Sequence, residues 1–508
     1  MWAPHEPRSV VDPPTPASPP GPRSAASAAS AASAASAASA ASARLPADRG
    51  LASLGLVMQL AGRSSAGLTA LIASPIVFGG LLEPRMHRHA GWFAFAIAAS
   101  LARSQLHRIA GRDLVYARRT ADGAIASPFD AMRTYVGFAL GHALVVGLCG
   151  MLAMGATRGT ALGLALALAV WPAALCAVLR SPAARRLAAA IPLAEDRGLE
   201  GASVVMTALG ACGALSTGAI LLVGGALPHR YLQHGWGPML VAVFGVLVVR
   251  SALHLRAGLA GLGEVSFDRP SELTARYARF GVVSACAVGA VVALLAMAER
   301  LTSQAILGVV VIGWLLVAWP MIVKRYFHTR QFAELLAGDR MLHRRAPDAG
   351  LTGLGWLLAG HAAVVAALAI VAATAEPHGV GRLVVRLLGL AGPAIGRSAP
   401  ELAVSGGIAA LEGFAAACLI CMTERRRLVA TVWAVVAGGV ALAAAWPMLR
   451  ALDAHQGSLR VAIAWIPIAI QLALPGATLV LVRRAILPPA RARFRSAQAG
   501  DTPAGVPG

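Results

Sequence analysis

"ADRGLASLGLVMQLAG" runs from Ala47 to Gly62, "EDRGLEGASVVMTALG" from Glu195 to Gly210, and a looser version, "PDAGLTGLGWLLAG", from Pro347 to Gly360. Each opens with an aspartate and a glycine and then turns apolar. An aspartate there can accept hydrogen bonds from the free N–H groups of a helix start, where the helix dipole also favours negative charge. The first two stretches echo each other at three further places. Arg103-Ser104-Gln105-Leu106-His107 matches Arg250-Ser251-Ala252-Leu253-His254; Pro128, Asp130, Tyr135 and Phe138 match Pro270, Glu272, Tyr277 and Phe280; Trp171-Pro172 matches Trp319-Pro320. Chance likeness among apolar helices rarely recurs in register at four places, so the spacing predicts a repeated unit of about 148 residues and four helices. The third stretch shares Leu354-Gly355 with Leu54-Gly55, and its first helix ends in Glu376-Pro377 as the first unit's ends in Glu83-Pro84, after which it diverges.

Composition sets the environment of these helices. Of 508 residues, 57% are hydrophobic and 13% charged, and apolar runs of about twenty residues recur from residue 51 to residue 482. In hydrocarbon every backbone polar group must be satisfied internally, so such runs read as helices. The expected fold is all-α: a polytopic membrane bundle of about twelve transmembrane helices, built as three parallel four-helix repeats with approximate threefold pseudosymmetry. Four helices per unit is an even number, so successive units enter the membrane in the same sense, and their axis lies along the membrane normal. The expected divisions are a disordered Pro/Ala/Ser-rich tail over 1–46, repeats over 47–194, 195–346 and 347–486, and a second disordered tail over 487–508. The eighth span is expected over 304–323.

The formal charge of +21 suggests nucleic acid only until its distribution is examined. The basic residues sit in short loops between apolar runs, the pattern that orients membrane helices, and no polyanion is needed to explain it. With twelve spans and both termini in the cytoplasm, roughly three quarters of them fall on the inner side. The segment 379–396 is apolar enough to suggest a thirteenth span, but a crossing there would put Glu424-Arg425-Arg426-Arg427 and the tail after Arg483 outside. It therefore reads as an outer-face amphipathic or re-entrant helix. The expected location is the cytoplasmic (inner) membrane.

All six cysteines lie in apolar runs, where they behave as small hydrophobes, and Cys418 and Cys421 have CxxC spacing without companion ligands. No metal site or cofactor is expected. Charged and titratable groups within spans are the sharper signal, because they are costly in hydrocarbon and face a cavity or a partner. The candidates for an intramembrane polar site are Arg63, His142, His361 and Glu412, none of them echoed in another unit. Arg63 and Glu412 have opposite charge and similar depth, so a buried pair between them is one expectation. Arg103 with His107 and Arg250 with His254 lie four apart at helix ends, sharing a face as candidate contacts for an anion or headgroup. Tyr135, Tyr277, Phe138 and Phe280 fit an interfacial aromatic belt, and the Trp-Pro pairs fit kinks.

Two functions fit. One is a transporter or flippase with a central polar site for a small molecule or lipid. The other is a non-catalytic scaffold or subunit of an envelope assembly, using its cytoplasmic loops to dock protein partners. No HExxH, GxSxG or Walker motif and no acidic cluster is present, and the loops leave little room for a catalytic domain, so no enzyme activity is expected.

Overall fold

The computed structural model describes residues 51–80, 90–116, 127–154, 157–180, 199–225, 237–262, 270–298, 316–328, 350–374, 398–421, 423–454 and 459–486. They form twelve helices: α1 (Leu51–Gly80), α2 (Ala90–Val115), α3 (Pro128–Met154), α4 (Arg158–Arg180), α5 (Leu199–Gly225), α6 (Gly237–Gly261), α7 (Pro270–Ala298), α8 (316–327), α9 (Leu351–Thr374), α10 (Ala399–Ile420), α11 (Arg426–Ala454) and α12 (Leu459–Ile486). The two tails, the segment 379–396, and the leading aspartates Asp48, Asp196 and Asp348 lie outside the described residues.

Seven of these helices, α3, α4, α5, α6, α9, α10 and α11, are each long and apolar enough to cross a membrane. Their outward faces carry large bare hydrophobes, such as Leu144, Leu148 and Leu152 on one side of α3, and Val432, Val435 and Val436 on α11. Rows of this kind need a lipid bilayer to cover them, and the chain is a multi-pass membrane protein.

Local chemistry sets several helix ends. α3 and α7 begin at Pro128 and Pro270, whose missing N–H falls where a helix start has no use for it, and Asp130 and Glu272 follow in the first turn. Before α9 the chain turns at Gly350, whose φ of 84° lies in the left-handed region that glycine enters without a Cβ clash. Its carbonyl then accepts the N–H of Gly353 at 2.9 Å. The expected eighth span and α8 differ in extent: α8 runs past residue 323 because Tyr326 and Phe327 continue the buried face formed by Ile322 and Val323.

The three helices that open the echoed stretches, α1, α5 and α9, all pack against one another. Each packs along the helix that follows it, α2, α6 or α10, and those contact α3, α7 and α11 in turn. α4 packs on α9 and α12 on α5, while Trp319, Ile322 and Val323 of α8 share one buried cluster with Leu56 of α1 and Met206 of α5. Small residues allow the closest approaches. A Cβ at Gly55 would fall 2.6 Å from the Gly111 carbonyl oxygen, and one at Gly111 the same distance from that of Gly55, so the backbones of α1 and α2 touch.

The side chains settle into three main apolar clusters. One joins Leu54 and Met58 to Leu114, Tyr135, Leu175 and Trp356. The second joins Ala202 and Met206 to Ala257, Tyr277, Val323 and Leu56. The third joins Leu354 and Leu358 to Leu419, Trp433, Val482 and Val204.

Candidate functional site

Two constructions stand out among the polar groups, and the first is built twice. Proline in a helix removes the N–H that would bond the carbonyl four residues earlier. In α4 Pro172 thus leaves the Leu168 carbonyl bare, and Arg103 Nη2 from α2 donates to it at 2.9 Å. In α8 Pro320 does the same to Leu316, and Arg250 Nη2 from α6 donates to that carbonyl. The residue before each proline closes the assembly. Trp171 Nε1 donates to His107 Nε2 at 3.0 Å, and Trp319 Nε1 to His254 Nε2 at 3.0 Å. His107 stacks on Tyr135 with ring centroids 4.3 Å apart, and His254 on Tyr277 at 4.4 Å. Arginine, histidine, tyrosine and Trp-Pro from three successive helices thus form one buried hydrogen-bonded and stacked unit.

This arrangement redirects several sequence expectations. His107, Arg250 and His254 were anion or headgroup candidates, yet all three are buried, and Arg103 with them turns inward to close bonds inside the protein. Tyr135 and Tyr277 are buried stacking partners, whereas an interfacial belt would leave them at the surface. Phe138 is exposed and packs over His142. The Trp-Pro pairs are packing elements whose bared carbonyl a neighbouring helix takes up. The joint recurrence of RSxLH, Tyr and Trp-Pro was the signal for this contact.

The second construction is unique to the third helix pair. His361 on α9 holds Nδ1 at 2.8 Å from Glu412 Oε1 and 3.0 Å from Oε2, so its N–H forks against the carboxylate of α10. The Glu412 side chain is 1% exposed and that of His361 33%. The carboxylate is enclosed and the imidazole forms its open side. Glu412 stands where α2 has His107: a Cβ at Gly355 would meet the Ala416 carbonyl as one at Gly55 would meet that of Gly111, and both polar residues lie one turn before that contact. A partner able to donate a hydrogen bond is what a carboxylate needs at this depth.

The other two candidates sit elsewhere. His142 on α3 places Nε2 2.8 Å from Ser100 Oγ, while Arg103 Nη1 lies 3.4 Å from its Nδ1. With Nδ1 accepting from the guanidinium, the ring proton is on Nε2 and donates to the serine. Arg63 is half-buried, and the charges that reach it are Arg108 and Arg325. The expected Arg63–Glu412 pair is therefore replaced by His361–Glu412. The packing places α9 beside α10, whereas the charges acting on Arg63 are the cations Arg108 of α2 and Arg325 of α8.

Among the described residues, no group of three or more His, Cys, Asp and Glu side chains is placed to hold a metal ion. No family model, no curated protein and no solved structure matches the chain.

Proposed function

We propose that the protein is a transporter or flippase whose substrate path follows the junction of α1, α5 and α9. In this view the chain is three parallel four-helix units about an approximate threefold axis, crossing the inner membrane twelve times with both termini in the cytoplasm. Ser53, Gly201 and Gly353 support the axis: they hold the same place in the three echoed stretches and meet one another, a Cβ at Gly353 falling 2.5 Å from the Gly201 carbonyl oxygen and 2.8 Å from the Ser53 hydroxyl.

One observation carries the transport proposal. The innermost helices are sealed at their starts, and beyond them α1 and α5 lose cover. Leu54, Leu56 and Met58 on α1, Ala202 through Met206 on α5, and Leu351 through Trp356 on α9 are buried. Farther along, Ser64 through Gly67 on α1 and Ala211 through Ala214 on α5 are partly exposed, and Leu215 is 52% exposed. Inner helices that lose cover past their first third line a tapering space, closed at one end, as a carrier in one of its two states requires. His361, one-third exposed beyond the sealed start of α9, presents with Glu412 the polar group that a substrate or proton would meet.

The test is thermal stability of the detergent-purified protein against a panel of metabolites, ions and lipid-linked compounds, with His361→Ala and Glu412→Ala alongside. A ligand at 100 times its dissociation constant stabilises by about 2.7 kcal/mol when it binds only the folded state. The expected result is at least one compound whose shift disappears in both variants. Silence across the panel, with both variants merely less stable, makes the pair structural and returns the scaffold function.

A further inference from the structure

The two recurring Arg, His, Tyr and Trp-Pro units differ at one guanidinium nitrogen. In the first, Arg103 Nη2 holds the Leu168 carbonyl while Nη1 lies 3.4 Å from His142 Nδ1 on α3. In the second, Arg250 Nη2 holds the Leu316 carbonyl, but Nη1 is buried and has no hydrogen-bond partner. α7 carries Ser284 at the position that His142 occupies on α3, and Gly281 at that of Ala139. Both stand beside the arginine. A Cβ at Gly281 would lie 3.9 Å from Arg250 Nε and 2.8 Å from Pro320 Cγ, and Ser284 Oγ donates to the Gly281 carbonyl at 3.2 Å. A hydroxymethyl thus replaces the whole imidazole of the first unit, and the acceptor that would meet Nη1 goes with it.

Exposure separates the two arginines as well. Arg103 is partly exposed, whereas Arg250 is 7% exposed and sits among α6, α7 and α8. Among the described residues, no carboxylate forms an ion pair with Arg250. A guanidinium keeps its proton in proteins, so it does not escape the cost of burial by turning neutral. A buried charge requires a counter-charge, and an unmet charged N–H requires an acceptor. One anion at Nη1 supplies both, where a water molecule would supply only the acceptor. Its size is bounded by the imidazole it replaces, and its charge by the single guanidinium it neutralises. The Ser284 hydroxyl can turn its proton toward such an ion, because the Gly281 carbonyl also accepts the N–H four residues on within α7.

We infer that Arg250 Nη1 binds a small monovalent anion of the halide class between α6, α7 and α8, in the place that the His142 ring takes in the first unit. The ion is enclosed with the arginine and is a structural part of the second unit. This site is separate from the His361–Glu412 pair, and its test reads equilibrium stability whether or not the protein transports anything.

Full-length protein is purified in a neutral detergent with sodium gluconate throughout, and chloride or bromide is then titrated in at constant ionic strength while thermal stability is followed. Wild type, Arg250→Gln and Ser284→Asp are compared, with Arg103→Gln, which alters the twin guanidinium, as control. The expected result is saturable stabilisation of the wild type by both halides. The half-saturating concentration should rise at least tenfold in Arg250→Gln and stay unchanged in Arg103→Gln. Ser284→Asp brings a carboxylate of the chain itself to the ion's place, so it should be more stable than wild type in gluconate and gain nothing from halide. Where Arg250→Gln does not fold, Ser284→Asp decides. A wild type equally stable in gluconate and in halide overturns the inference, and so does a halide response that Arg250→Gln or Ser284→Asp retains unchanged. Stabilisation that rises without saturating, alike in wild type and all the variants, is a general salt effect and overturns it too.

Discussion

Gly353→Ala is the most direct probe of the junction between the three innermost helices. The added methyl would lie 2.5 Å from the Gly201 carbonyl oxygen, 2.7 Å from the Gly201 Cα and 2.8 Å from the Ser53 hydroxyl. Two of those atoms are backbone, so relief requires α9 to move away from α5. Overpacking of this kind costs about 1–3 kcal/mol, and the better helix propensity of alanine returns up to about 1 kcal/mol. The net expectation is a loss of about 1–2 kcal/mol. Gly407→Ala in α10 is the matched control, because nothing lies within 4 Å of a Cβ there, so it should be neutral or gain up to about 1 kcal/mol. The two variants should therefore differ by about 2 kcal/mol, roughly thirtyfold in the unfolding equilibrium. Reversible unfolding in mixed micelles of rising dodecyl sulfate fraction measures this difference. If Gly353→Ala proves as stable as Gly407→Ala, then α1, α5 and α9 do not meet at that point, and both the axis and its seal fail.

Three other outcomes follow from the same contacts. Arg103→Met should cost about 1–3 kcal/mol in wild type by baring the Leu168 carbonyl, and clearly less in a Pro172→Ala background, where the restored N–H takes over; equal costs in the two backgrounds, read in the same unfolding assay, would disprove the repair. His361→Leu and Glu412→Leu should show a coupling of about 1–3 kcal/mol in a double-mutant cycle, the double variant losing less than the sum of the singles, and additive losses would mean the two groups do not interact. In a chain freed of its six cysteines, a membrane-impermeant maleimide added from outside should label Cys placed at Leu215 and spare Cys placed at Leu54, and the reverse pattern would turn the proposed path around.

Much of the helical framework was legible because its signals are local. Hydropathy over about twenty residues marks a span wherever the segment packs, and Pro128 with Asp130 or Pro270 with Glu272 marks a helix start from the needs of its own first turn. The echoes also placed Arg103, His107, Tyr135 and Trp171-Pro172 in correspondence with Arg250, His254, Tyr277 and Trp319-Pro320. What the correspondence was for stayed hidden. The carbonyl that each arginine serves is a backbone atom on a non-adjacent helix, bared by a proline, and no pattern of side chains records it.

Partner choice belonged to the tertiary structure. Charge and depth favoured Arg63 with Glu412, but the small residues Gly355 and Ala416 lock α9 against α10 and bring His361 to that carboxylate. Gly62 seats α1 on α2 at Arg108, and the charges acting on Arg63 are cations. Sequence alone determined that this chain consists of membrane helices and where many of them begin. Which faces meet depends on the rotation and order of the helices, set by side-chain volumes at a few contact points hundreds of residues apart, and only the folded bundle expresses that.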